Sequence, residues 1–489
     1  MVRIILTSFV LIYAAFPTVA VEQPNLVIVM TDEHNFRTLG CYRDQLAEDQ
    51  AFVWGKGVKV DTPYLDALAA EGALLTNFYV SSPVCSPSRA AFLTGLMPHL
   101  TGTPTNDRPM HDHMVTFAEV LGSKGYSTGY FGKWHLDGIG KPQWAPERKF
   151  GWQDNRYMFN RGHYKKLKDT DDGPRVDAKI GRNGIPAYDL NQADEKSYAT
   201  DFLMDRSLDF IRENKDQPFC VMLSIPDPHG PNRVRDPYWD KYRPMKFQAP
   251  KTMFKKVDEA PVWSGVTGNN YISNLELNQN QMAAIFGMVE CIDDNMGKLS
   301  RELKRLNLEE NTIVVFTSDH GDLMGEHRRH NKGVPYETSA KVAFLLKHPK
   351  QVRAGKVIHS VMTSVDFSPT ILSLMGIENG LPIGQGKDLS HHFQNGNMNI
   401  HGEQIAYIRA TTLHPAWVAA VTEGYKLVIS DKDKPWLFDL EKDPDELLNF
   451  YQDPAYLETR ERMRNALRRQ MQIAEEPALR IAGFAKWLR

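Results

Sequence analysis

Cysteine is scarce in this chain: four among 489 residues, at positions 41, 85, 220 and 291. That is too few for a disulfide framework, so the fold must rest on apolar burial. Cys220 lies in the apolar run 219–225 and Cys291 in a helical pattern, and both read as packed thiols. Net charge is scarce as well, with 58 Lys and Arg against 60 Asp and Glu. A balanced chain cannot coat a polyanion, which excludes sequence-independent nucleic-acid binding. Any anionic ligand must therefore be met by a local cluster.

Long apolar runs are missing except at the start, where residues 4–16 follow Arg3 and precede Pro17-Thr18-Val19-Ala20. The run is short for a bilayer span. A basic residue, an apolar segment and a small-residue site in that order are the form of a secretory signal. Residues 1–20 are therefore expected to be removed, leaving an exported chain, periplasmic or secreted, that does not insert in a membrane. No internal repeat and no low-complexity segment interrupts the rest.

What the chain does have is a set of continuous apolar runs with polar ends. Residues 25–30 (NLVIVM) lead into Thr31-Asp32-Glu33-His34, and residues 312–316 lead into Thr317-Ser318-Asp319-His320-Gly321. Such runs read as strands buried on both faces of a parallel α/β sheet, whose carboxyl ends are where ligands bind. Adjacent carboxylates there suit a hard divalent cation, although most acidic pairs merely cap loops. Residues 127–131 form a third strand, ending in Gly132-Lys133-Trp134-His135. Alternation predicts that Lys133 and His135 project from one side of an extended segment. Residues 218–225 lead to Asp227-Pro228-His229-Gly230-Pro231, which holds His229 on a stiff turn. Helices are expected over 64–71, 114–124, 199–214 and 279–303, with Asp293 and Asp294 of the last taken as structural.

From residue 376 the character shifts to glycine-rich turns, antiparallel-looking strands at 405–410 and 418–430, and a charged helix at 456–473. The expected fold class is α/β: a large mixed, mostly parallel sheet sandwiched by helices over residues 21–375. A small C-terminal antiparallel sheet plus helix follows over 376–489. Residues 138–197 lack a clear period and mix Arg156, Arg161, His163, Lys165, Lys166 and Lys168 with Trp152, Tyr157, Phe159 and Tyr164. So long an irregular stretch reads either as a binding loop with stacking rings or as a solvated insertion.

Cys85 opens a turn into a helix: Ser86-Pro87-Ser88-Arg89 permits proline in the first turn, where its missing N–H has no partner. A thiol at a helix N-terminus with an arginine one turn along can face an anion as a nucleophile. Taken alone, such a cysteine is more often a packed thiol beside a structural cation.

Cys85-x-Pro87-x-Arg89, continuing to Leu93-Thr94-Gly95, resembles the signature of the type I sulfatases. The Gly132-Lys133-Trp134-His135 element, His229 and the Asn331-Lys332-Gly333 element fall in that family's order. The resemblance implies an alkaline phosphatase-like fold and hydrolysis of sulfate esters. It implies that a maturating enzyme converts Cys85 to formylglycine, whose hydrate is the nucleophile. Asp32, Glu33, Cys85, Asp319 and His320 would bind one Ca2+. Two positions depart from the common pattern: Glu33 where a second aspartate is usual, and His320 where asparagine is frequent. The family roles of Arg89, Lys133, His135, His229 and Lys332 are to hold the diol, meet the sulfate and carry protons. Arg161, His163, His327 and Arg328 are expected substrate contacts. The expected substrate is a sulfated carbohydrate, an algal galactan such as carrageenan first and a glycosaminoglycan second. Alternatives are a phosphate or phosphonate ester hydrolase of the same superfamily and a catalytically silent binder of sulfated sugar.

Overall fold

The first apolar run forms the strand Asn25–Asp32, and all eight of its residues are buried. The computed structural model describes residues 23–256, 259–265, 271–377, 380–381, 384–394 and 404–488, so the expected signal at 1–20 lies outside the described residues. Asn25–Asp32 is flanked by two parallel partners, Phe219–Pro228 and Thr312–Ser318, with Leu26 opposite Cys220 and Asn25 opposite Thr312. Among the described residues the sheet has eight strands. In spatial order they are Lys356–Ile358, Ala73–Leu75, Phe344–Lys347, Thr312–Ser318, Asn25–Asp32, Phe219–Pro228, Ser127–Lys133 and Met158–Phe159. Phe344–Lys347 alone runs against its neighbours.

A strand with helices on both sides buries alternate residues into two cores. Leu26, Ile28 and Met30 meet Phe92, Phe117 and Phe367 on one face. Val27 and Val29 meet Leu203, Ile292 and Met296 on the other, from the helices Ala199–Glu213 and Gln279–Arg305. The helix Cys85–Thr94 lies on the first face, where Phe92 stacks on Phe367 of the helix Ser364–Leu374 at 3.7 Å. Gly95 ends it with φ 70°, a left-handed conformation that costs glycine no steric strain.

Four antiparallel strands, Ala406–Arg409, Trp417–Val421, Tyr425–Ser430 and Trp436–Asp439, form a second sheet. The single apolar stretch 418–430 is thus two strands. Met463, Leu467 and Met471 of the helix Leu457–Ile473 cover one face of that sheet. The other face meets Tyr79, Trp263 and Tyr336. Buried Lys426 ties it down, 2.7 Å from Glu337 and 2.8 Å from Glu446.

Two expectations are revised. The rings of the 138–197 stretch are not open platforms: Trp152, Phe159 and Tyr164 are fully buried. Trp152 packs edge-on against Phe117 and Tyr130, and Met158–Phe159 extends the sheet beside Lys133. They fill the sheet's edge because burial of that area outweighs holding it open for a ligand. The helix expected at 114–124 spans only Phe117–Ser123, started by a reciprocal cap between Thr116 and Glu119. The four cysteines are free and buried. Among the described residues no helix is long and apolar enough to cross a membrane.

Candidate active site

Parallel strands deliver their last residues to one place. Asp32 ends Asn25–Asp32, Lys133 ends Ser127–Lys133, His229 follows Phe219–Pro228, and Asp319 and His320 follow Thr312–Ser318. The helix Cys85–Thr94 faces them with its first residue. Cys85 Sγ lies 3.2 Å from His320 Nε2 and 3.8 Å from Asp32 Oδ1. Asp32, Cys85, Asp319 and His320 each offer a ligand atom, all within 4.8 Å of one another and all buried.

Cations surround this group. Arg89 Nε donates to Asp319 Oδ2 at 2.8 Å, and its Nη1 donates to the Lys133 carbonyl at 2.8 Å and to Ser224 Oγ at 2.6 Å. Lys133 Nζ pairs with Asp32 and lies 2.8 Å from His163 Nε2. The His163 ring stacks on His229 with centroids 3.6 Å apart. His229 Nε2 is 2.7 Å from Lys332 Nζ and 3.1 Å from Glu33 Oε2.

These charges separate the two central carboxylates. Burial opposes ionisation of Asp32, but Lys133, His229 and His163 hold it well below the usual carboxylate range. Burial and the Asp32 charge push Asp319 up against the pull of His320 and Arg89. Burial opposes protonation of His320, yet Asp319 raises it to about 9. For the Cys85 thiol, burial and Asp32 disfavour the anion, while Lys133, Lys332 and His320 prevail and hold it well below its ordinary value. Burial likewise disfavours the Lys332 ammonium, but Cys85, Glu33, Asp32 and Asp319 push it above the ordinary lysine range. Lys133, Lys332 and His320 thus favour negative charge at position 85.

The residues singled out in the sequence are not all gathered here. Glu33 has φ 62° and sends its carboxylate to His229 and to Lys332, 3.2 Å away, rather than into the four-residue group. Lys133 and His135 do not share one extended segment. The strand stops at Lys133, Trp134 is buried against Tyr130, and His135 turns with φ 62°, its Nε2 lying 3.5 Å from Asp107 Oδ1. Arg161 joins that arm, 3.1 Å from the same oxygen. His163 is inside the cluster. His327 stacks on Tyr336 at 3.5 Å, and Arg328 lies over Tyr271 while donating to the Ile272 and Ser273 carbonyls, so neither touches the cluster.

Sequence reading missed Asp107, Ser224 and the buried pair Lys165–Asp227 beneath His229. Lys165 Nζ donates to Asp227 Oδ1 at 2.5 Å and to the His229 carbonyl at 3.1 Å. The nearest signal was the aspartate inside the Asp-Pro-His turn. Its partner came from a stretch without period.

The donor set fits a divalent cation. Buried carboxylate oxygens from Asp32 and Asp319 converge with the His320 imidazole. Oxygen donors suit a hard ion, and His320 adds a borderline ligand. A second grouping, Asp32 with His163 and His229, is also tight. The Lys133 and Lys332 ammonium groups already lie against those imidazoles, so that side suits an anion.

Fold and site together define an ester hydrolase of the alkaline phosphatase-like architecture. The chain belongs to the sulfatase family, whose model matches residues 24–377, and it hydrolyses sulfate esters. A model of the N-sulphoglucosamine sulphohydrolase C-terminal region matches residues 325–473. The chain is 29% identical over 403 residues to the ulvan-active sulfatase of Formosa agariphila, covering 79% of this chain and 70% of that one. It is 25% identical over 527 aligned residues to the N-acetylglucosamine-6-O-sulfatase of Bacteroides thetaiotaomicron, covering 93% and 86%. A protein solved in complex with its substrate D-glucosamine-2-N,6-O-disulfate shares the fold, with TM-score 0.72 at 22% identity, covering 93% and 99%.

Proposed function

We propose that this chain removes sulfate from a sulfated carbohydrate, using a formylglycine made from Cys85 and a bound calcium ion. The observation that carries the proposal is the arrangement around Cys85: two carboxylates and an imidazole on one side, two lysines and two histidines on the other. One side suits a cation and the other a tetrahedral anion, with position 85 between them. Of the two substrate classes left by the sequence, sulfated amino sugars of the glycosaminoglycan kind have the firmer support. The C-terminal model match and the N-acetylglucosamine-6-O-sulfatase relative both point that way.

Asp32, Asp319 and His320 would hold the metal, and Glu33 would join them by giving up Lys332 and His229. The ion would neutralise charge on the sulfuryl oxygens and on the nucleophile. A formylglycine at position 85 would supply, as its hydrate, the nucleophile and a route for sulfate to leave as the aldehyde is restored. Arg89, fixed through Asp319, Ser224 and the Lys133 carbonyl, holds position 85 with no freedom to lose on reaction. Lys133 and Lys332 meet the anion. His229, flanked by Lys332 and Glu33, protonates the departing sugar oxygen. His135, beside Asp107, would be the base that accepts a proton from the group at position 85. The uncatalysed barrier requires this concentration of charge, about 20 kcal/mol of help.

The proposal includes export through the signal at 1–20 and contact with a sulfatase-maturating enzyme. It is tested by producing the chain beside such an enzyme and weighing the peptide that contains Cys85. Sulfur should be replaced by oxygen as expected for an aldehyde, and sulfate should be released from N-acetylglucosamine 6-sulfate. An unmodified Cys85 in fully active protein, or turnover by Cys85→Ala, would overturn the nucleophile. Faster release of phosphate from a matched ester would favour the phosphatase alternative.

A further inference from the structure

Beyond the His229 turn lies a cavity of about 490 Å³, separate from the sulfate cluster and lined by Asn232, Arg233, Trp239, Asn278, Asn280 and Gln281 among others. The turn and the cavity share a wall. Asn232 Nδ2 donates to the Pro228 carbonyl at 2.9 Å, and Asn232 Oδ1 accepts from Gln281 Nε2 at 3.1 Å. Asn232 is three residues from His229, so the two lie within roughly 11 Å along the chain.

The lining has the chemistry of sugar recognition. Asn232, Gln281 and the Asn278 oxygen brace the wall, while the exposed Asn280 amide offers a donor and an acceptor to sugar hydroxyls and the half-buried Trp239 offers an apolar ring to sugar C–H groups. Arg233 is exposed and, among the described residues, has no carboxylate within ion-pair distance. Its neighbour Arg235, by contrast, is buried on Asp201 at 2.8 Å. An unpaired guanidinium on the rim of an amide-lined cavity is placed for an anionic oxygen pair.

We infer that this cavity is a distal subsite for the sugar residue next to the sulfated one, and that this neighbour carries a carboxylate or a second sulfate that pairs with Arg233. The inference rests on the carbohydrate reading above and deepens it: an oligosaccharide or polymer is the preferred substrate, turned over faster than the monosaccharide sulfate.

The test uses oligosaccharides that share one sulfated end residue and differ only in its neighbour, which is neutral, a uronate or sulfated. 4-Nitrophenyl sulfate serves as the sugar-free control. For the wild-type enzyme, kcat/KM should favour an anionic neighbour over the neutral one by about tenfold or more, the worth of a charge-assisted hydrogen bond. Arg233→Ala and Arg233→Gln should collapse that ratio to near one, and Asn280→Ala should lower the advantage of every oligosaccharide over the monosaccharide sulfate. Arg233 and Asn280 are exposed, so these variants should fold. The uronate and sulfated arms identify which anion is read. Turnover of sugars with no charge preference, or a preference that survives in Arg233→Ala, would overturn the subsite alone. Turnover of 4-nitrophenyl sulfate with none of the sugars would overturn the carbohydrate reading and the subsite with it.

Discussion

Replacing Lys165 by methionine should weaken both the fold and the reaction, and the size of each effect follows from its surroundings. Lys165 and Asp227 are both wholly buried. The Asp227 carboxylate also accepts from Tyr198 Oη at 2.6 Å and Thr200 Oγ1 at 2.7 Å. Losing one partner of a buried ion pair costs about 3–5 kcal/mol, and the surviving hydroxyls place this case near 3. With a urea m-value of about 3 kcal/mol/M, the unfolding midpoint should fall by roughly 1 M. Lys165 also holds the His229 carbonyl, and it lies two residues beyond His163, whose ring rests on His229. Letting that turn drift should cost kcat about 10- to 100-fold, as expected for a misplacement of order 1 Å. The decisive measurement is a double-mutant cycle with Asp227→Asn, read by urea unfolding and by sulfate release. The double variant should lose about 1–3 kcal/mol less than the sum of the singles, because neither then leaves a buried charge unpaired. Additive losses, or a Lys165→Met protein with the wild-type midpoint and kcat, would refute the reasoning.

Three further outcomes are expected. Burial pushes the Asp293 carboxyl up to about 7 despite bonds from the Tyr64 and Leu65 N–H groups, so the folded state keeps a proton the unfolded chain sheds near pH 4. Stability from that retained proton is full below pH 4 and lost as pH rises to 7. Asp293→Asn should therefore gain on the wild type across that window, by at most about 4 kcal/mol, in urea titrations at stepped pH. A chelator should abolish turnover and lower Tm, and calcium should restore both; restoration by zinc but not calcium would reassign the metal. Arg89→Lys should lower kcat at least about 100-fold, since an ammonium cannot reach Asp319, the Lys133 carbonyl and Ser224 together. Near-normal kcat in stopped sulfate assays would remove Arg89 from the site.

The sequence by itself determined the fold class and the strand ends. Runs such as 25–30 and 312–316 have no polar face, so they must lie between two layers of helices, and their first polar residues mark the carboxyl edge. That is why Asp32, Asp319, Lys133 and His229 could be assigned to strand ends before any coordinates. Tertiary structure alone decided what those residues touch. Glu33 turned to Lys332 and His229, His135 turned to Asp107, and His327 went to Tyr336, because a left-handed φ at each redirects a side chain in a way no periodicity records. The rings of 138–197 were equally ambiguous on paper, since an aromatic residue serves a core or a ligand alike until the neighbouring surface is known. Lys165 and Asp227 meet across a gap of 62 positions, and pairings at that separation are set by the packing of the whole sheet.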